Sequence, residues 1–188
     1  MKGIAIATGV TGIGVVAVAT ALAAPASPIS STSIAGATVG LPASAYEQAL
    51  GTPVRKEALK VPDGYSRLVF TKRKIAVYFK AGTDKAVAVT TWNAGLKTSA
   101  GVGPCSSIEQ VKAAYGGKLK PSKPNTLGPR IYAYTVGRLI FAAAGRDPKP
   151  GPSKHVTAVA LYSGIPGPAN GGALAYAGFL ALNETGCS

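Results

Sequence analysis

Histidine, cysteine and acidic side chains are scarce in this chain. Its 188 residues include one histidine, His155, two cysteines, Cys105 and Cys187, and 7 acids against 20 lysines and arginines. So few soft or imidazole ligands cannot furnish a standard tetrahedral metal set, and the acids show no EF-hand spacing. No metal or cofactor is therefore expected. Hydrolytic nucleophile chemistry needs a Ser, Cys or Thr activated by a base that a third group orients. His155 is the sole histidine able to serve. It sits between Lys154 and Val156 at the entrance to an expected strand, an ordinary setting for a partly exposed imidazole. Asp63, Asp84 and Asp147 fall in turn contexts, which accounts for them without catalysis. No catalytic residue is assigned, and a hydrolase pairing a Ser or Cys with His155 is the third-ranked class of function.

Long apolar runs are equally rare. The uncharged stretch from Gly3 to Leu22 follows Lys2 and precedes Ala24-Pro25-Ala26, a small-residue site of the kind signal peptidase accepts. Residues 1–26 read as a signal peptide with cleavage before Ser27; an uncleaved anchor is the alternative, since the run is long enough to span a bilayer. No Cys follows Leu22 at lipobox spacing. The run ALAYAGFLAL at 173–182 is too short to cross a membrane and reads as a core strand or a short buried helix.

With Lys2 removed, 19 basic residues face 7 acidic ones, a net charge of 19 − 7 = +12. The positive charge lies between Arg55 and Lys154. Such a charge governs solubility and long-range attraction to anions rather than fold. For a secreted or wall-associated chain the available anions are phospholipid head groups, wall polymers and acidic proteins, so nucleic acid is not an expected partner. The two cysteines of an exported chain read as one disulfide, pinning the C-terminal tail to the middle of the chain.

Within the exported part the same short plan occurs twice. VGLPASAYEQALG at 39–51 precedes LVFTKRKIAVYFKAG and VAVTT; VGPCSSIEQVKAAYG at 102–116 precedes YAYTVGRLIFAAAG and VTAVALY. Residues 27–38, rich in Ser, Thr and Ala, read as a flexible leader. A first α+β module then covers 39–100, a second 101–163, and a tail 164–188 has no counterpart in the first copy. In the first copy Ser44 is the expected cap of a helix over Ala45 to Leu50, stopped by Gly51. The stretch TPVRKEALKVPDGYS is a loop or a short extra strand. Strands follow from the alternation around Leu68 and Phe70, then Ile75, Val77 and Phe79, then Ala86 to Trp92. In the second copy Ser106 or Ser107 caps a longer helix ending at Tyr115. Its strand candidates are Ile131 to Tyr134, Arg138 to Ala143 and Val156 to Tyr162. Gly101-Val102-Gly103 either lets the chain enter that helix tightly or presents amides to an anion. The proline-rich loop at 146–155 replaces the short turn of the first copy.

A Val-Gly-x-x-x-Ser helix ending in Gly, followed by antiparallel strands and repeated in tandem, resembles the module of secreted β-lactamase-inhibitor proteins. It also resembles the small BamE-type outer-membrane assembly lipoproteins. The resemblance rests on 39–51 and 102–116. It implies two tandem helix-plus-antiparallel-sheet modules whose sheets share one face and dock on a partner protein. The inhibitor proteins carry a disulfide inside each unit, whereas the first unit here has no cysteine.

These readings converge on an exported, non-enzymatic binding protein that engages a protein or an anionic envelope component. The runner-up is a structural or electrostatic role at the wall or membrane surface. Candidate binding residues are the cations Arg55, Lys56, Lys72, Arg73 and Lys74, suited to phosphate or carboxylate groups, and the aromatics Tyr78, Trp92, Tyr132 and Tyr134. Each has a plainer alternative: lysines at hairpin ends discourage edge-to-edge association, and aromatics serve as core.

Overall fold

The computed structural model describes residues 28–59, 64–121, 131–144, 155–164 and 187. Residues 1–26, expected as a signal peptide, most of the loop at 146–155 and all of the tail between Gly164 and Cys187 lie outside the described residues.

Runs of β-branched, aromatic and small apolar residues give the chain its strands, and the central ones are buried on both faces. In order these are the short pair β1 (Ser33–Ile34) and β2 (Ala37–Thr38), then β3 (Arg55–Leu59), β4 (Tyr65–Phe70), β5 (Ile75–Lys80) and β6 (Ala86–Thr91). After the second helix come β7 (Lys120–Pro121), β8 (Ile131–Val136), β9 (Leu139–Ala144) and β10 (Ala158–Tyr162). Strands β3 to β10 form one eight-stranded sheet in the order β3-β4-β5-β6-β10-β9-β8-β7, antiparallel at every pairing. The stretch after Thr52, open between loop and strand in the sequence, supplies the outer strand β3. With two helices, α1 (Ala43–Leu50) and α2 (Ile108–Tyr115), the protein is of the α+β class and mostly antiparallel sheet.

The helices form for different local reasons. Ser107 accepts a hydrogen bond from the Gln110 amide at 3.0 Å, and the Gln110 side chain accepts one from the Ser107 amide at 2.8 Å, a reciprocal box that satisfies two N-terminal donors. The expected cap at Ser44 is not used. Helix α1 begins earlier, with Pro42 as its N-cap and no side-chain cap, and Ser44 lies inside the first turn. A proline at a helix start needs no donor of its own, so this end does not depend on a hydroxyl.

Both helices bury into one cluster on one face of the sheet. Tyr46 of α1 meets Phe79 edge to face, with ring centroids 6.0 Å apart, and Tyr115 of α2 meets Phe141 at 5.5 Å. Val77, Val89, Val159 and Leu161 complete this core. At β5–β6 the register shifts after Tyr78, so Phe79 pairs with Ala86 and Tyr78 with Ala88. Val87 is the extra residue, and the bulge lets Ala86 and Ala88, two apart, face opposite sides.

Residues 28–38, expected as a flexible leader, instead belong to the core. Ile29 and Ile34 are fully buried in the helix-side cluster, and the Ile29 amide bonds the Lys97 carbonyl at 3.1 Å. The serine and threonine content suggested solvent, but Ile29, Ile34 and Ala37 carry the packing.

Candidate functional site

The cations proposed from sequence gather at one end of the sheet, with one exception. Strand β4 ends at Phe70, and Thr71–Arg73 make a single 3-10 turn closed by Lys74, whose φ of 55° is left-handed. The tip is held from beneath. The Lys74 carbonyl accepts the Thr91 hydroxyl at 2.9 Å and the Trp92 amide at 3.2 Å, fixing it to the end of β6. Lys72, Arg73 and Lys74 are exposed, and none of them makes an ion pair with a described carboxylate. Arg55 joins them at this end, since it pairs with Val69 one residue before the turn region begins.

Lys56 is the exception. Its neighbour in register is Leu68, on the helix side, and its ammonium lies 2.5 Å from the Glu47 carboxylate of α1. Consecutive strand residues point to opposite faces, so Arg55 and Lys56 do not form one patch.

The four aromatics likewise divide between the faces. Tyr78 and Trp92 are buried on the face away from the helices, with Trp92 only 7% exposed. Tyr132 and Tyr134 are partly buried against the helix-side core. Burial, with Glu109 and Tyr132 nearby, raises the Tyr134 hydroxyl above its ordinary pKa. The core alternative thus describes Tyr78 and Trp92, and no single aromatic surface joins the four.

The face away from the helices has a chemistry that sequence reading missed. Its centre is built from small residues, Ala76, Ala88, Ala158 and Ala160 among them, with Val69, Ile140, Tyr78, Trp92 and Tyr162 around them. Thr90 opposes Ala76 and Ala160 in register, so its side chain shares this face. The Thr90 hydroxyl is buried and lacks a hydrogen-bond partner, and the buried Tyr78 hydroxyl has only the Arg67 guanidinium nearby, in no well-formed hydrogen bond. Burial drives the Tyr78 hydroxyl far above its ordinary pKa, against the opposing pull of the Arg67 guanidinium. Arg67 is itself buried and bonds Glu57 across the strands, Nε to Oε1 at 2.6 Å, with a second contact from its terminal nitrogen. The available signal is pairing: Arg67 and Glu57 carry opposite charge at facing positions of neighbouring strands, but the sequence leaves the outer stretch open between a loop and a short strand.

Little in the loop after β6 resembles a catalytic arrangement. The Lys97 ammonium donates to the Pro104 carbonyl at 2.7 Å and approaches the Ser106 hydroxyl at 3.4 Å, and burial lowers the Lys97 pKa. Ser106 is buried, however, and already accepts the Gly103 amide at 3.0 Å, so this pair ties the loop together. Gly103 is required by close approach, because a Cβ there would lie 2.3 Å from the Leu96 carbonyl oxygen. His155 pairs with Ser107 through a backbone bridge at the entrance to β10. Cys105 and Cys187 are joined as a disulfide, so neither is a thiol nucleophile. Among the described residues no three His, Cys, Asp or Glu side chains gather as a metal site.

No family model matches this chain, and no curated protein matches it. Among solved structures it is similar to the crystal structure of a DUF4309 family protein (YjgB) from Bacillus subtilis. The identity is 15%, the coverage 64% of this chain and 77% of that one, and the TM-score 0.39.

Proposed function

We propose that this chain is an exported, non-enzymatic binding protein of the bacterial envelope or exterior. In this reading it is built from two tandem helix-plus-sheet modules of the inhibitor-protein type. Its ligand is an anionic group, carried by an envelope polymer or by a partner protein, engaged at the basic end of the sheet. The observation that carries this reading is the tip at Lys72, Arg73 and Lys74: three consecutive exposed cations with no described carboxylate to neutralise them, on a turn anchored through the Lys74 carbonyl. Arginine offers phosphate and carboxylate a bidentate donor pair, and lysine adds a mobile charge.

Binding to vesicles containing phosphatidylglycerol, and to purified anionic wall polymer, tests the proposal. The wild-type chain should bind at low salt, and a K72A/R73A/K74A variant should bind at least several-fold more weakly. Equal binding by the variant would remove the tip from the function. The second reading, a structural and electrostatic role at the wall or membrane surface, is favoured by the net charge of 19 − 7 = +12 that remains without Lys2, spread over many elements. It predicts steep loss of binding with salt and a smooth dependence on the number of cations removed, wherever they lie.

A further inference from the structure

The two outer edges of the large sheet are finished differently. At one edge β7 is two residues long and contains Pro121, which has no amide hydrogen to offer an incoming strand. At the other, β3 runs for five residues without a proline, and among the described residues β4 is its only partner strand. Arg55, Lys56 and Ala58 are exposed along it.

The register fixes which backbone groups that edge presents. The Trp92 amide donates to the Lys74 carbonyl, one step beyond the Ile75–Thr91 pair, so Lys74, Ala76 and Tyr78 bond toward β6. Bonding direction alternates along an antiparallel strand. Ile75 and Val77 therefore bond toward β4, to Phe70 and Leu68, which leaves Arg67 and Val69 to bond toward β3, to Glu57 and Arg55. By the same alternation the amides and carbonyls of Lys56 and Ala58 point outward, away from β4.

Charge is the usual guard of such an edge, because a lysine standing over it opposes an incoming strand. Here the two central charges are engaged elsewhere, Lys56 with Glu47 on α1 and Glu57 with Arg67 on β4. What remains is a cationic surround at one end of the edge, where Arg55 opens β3 and Lys72, Arg73 and Lys74 form the exposed tip. Val54, 65% exposed immediately before β3, adds an apolar contact at the same end. A strand added beside β3 would pass about 10 Å from β4, two strand spacings and about one Debye length in roughly 0.1 M salt, so acids on it are drawn to that end.

We propose that β3 is a docking edge for an extended acidic segment of a partner protein, added antiparallel, hydrogen-bonded to Lys56 and Ala58, with its carboxylates beside the basic tip. Strand β3 runs away from the tip, so an antiparallel partner runs toward it and carries its acids at its C-terminal end. Antiparallel addition also continues the pattern of every other pair in the sheet. The acidic character of the partner rests on the basic end being the binding end, whereas the outward backbone groups of β3 do not.

A labelled peptide of alternating valine and threonine, closed at its C-terminal end by aspartates, is the probe, read by fluorescence anisotropy with the full chain. The chain should bind it, and should bind several-fold more weakly a copy with asparagine in place of aspartate. Ala58→Pro deletes one outward amide hydrogen at a position where an edge strand tolerates proline, and should weaken peptide binding several-fold while leaving the binding of phosphatidylglycerol vesicles unchanged. The K72A/R73A/K74A variant tests the basic end separately, through those vesicles. In the wild-type chain, hydrogen exchange followed by NMR should slow at the Lys56 and Ala58 amides when the peptide is bound. Peptide binding by folded Ala58→Pro equal to wild type would overturn the docking edge, as would unchanged exchange at Lys56 and Ala58; if that variant fails to fold by far-UV circular dichroism, the exchange measurement decides. Equal binding of the aspartate and asparagine peptides would overturn the acidic partner. Binding of the vesicles with none of the peptide would assign the basic end to a lipid surface and overturn the proposal as a whole.

Discussion

Glu57 and Arg67 stand opposite each other in register across the outermost strand pair, and the guanidinium is the more deeply enclosed of the two, with its side chain 6% exposed against 37% for the carboxylate. The pair therefore has unequal halves. Removing the carboxylate leaves a buried cation, whereas removing the guanidinium leaves an acid that water can still reach.

Glu57→Ala should cost about 2–3 kcal/mol, the penalty for stranding a mostly buried charge discounted for the exposed side of the pair. Glu47→Ala, which breaks the more exposed pair to Lys56, should cost under about 1 kcal/mol. Urea denaturation of the two variants side by side checks the contrast, and equal losses would count against it.

Tyr78 should make the fold sensitive to alkali. Its hydroxyl titrates near 10 in the unfolded chain and well above that when folded. The folded state therefore keeps a proton that the unfolded state releases. Stability is full below about pH 10 and falls as pH rises above it, by up to about 1.4 kcal/mol per unit. Tyr78→Phe should flatten that decline while changing stability at neutral pH little, since the lost hydroxyl makes no well-formed hydrogen bond and has only the Arg67 guanidinium nearby. Denaturant midpoints between pH 8 and pH 11 provide the measurement.

Gly103→Ala should destabilise by about 1–3 kcal/mol, because the new methyl meets the Leu96 carbonyl and the backbone has to move. Gly117→Ala is its control: an added Cβ there meets nothing within 4 Å, and the residue's φ is ordinary. A melting comparison distinguishes them.

Ser107→Ala removes one arm of the capping box and should cost about 1 kcal/mol, while Ser44→Ala should cost little, its hydroxyl being no cap. Helix content and thermal midpoint for both variants test this.

That last pair shows where the sequence was informative. The cap of α2 was legible only as Ser106 or Ser107, and what decides for Ser107 is Gln110 three residues on, the spacing that a reciprocal cap needs. Ser44 looked equivalent but lost to Pro42, whose fixed backbone starts the helix without help. Strands β4 and β5 were legible from clean alternation, and the basic tip followed from the turn between them. The outer strand β3 was harder, since Arg-Lys-Glu-Ala-Leu has no apolar face of its own and is strand only because β4 offers it a partner. Residues 28–38 were misread for a related reason: two isoleucines among serines decide their fate, and composition averages them away. The second buried face was invisible, because Ala76, Ala88, Ala158 and Ala160 look unremarkable until the register aligns them.

The strand order also governs how the chain finds its fold. Every neighbouring pair in the large sheet is consecutive in sequence except one, the seam between β6 and β10, where Thr91 meets Val159. The β4–β5, β5–β6 and β8–β9 hairpins close short loops and form early at small entropic cost, whereas the seam has to wait until two distant stretches of chain meet. Substitutions in the hairpins therefore act on the folding rate, and those that loosen the seam act mainly on the rate of unfolding. The lifetime of the folded protein thus depends most on a single line of hydrogen bonds between β6 and β10.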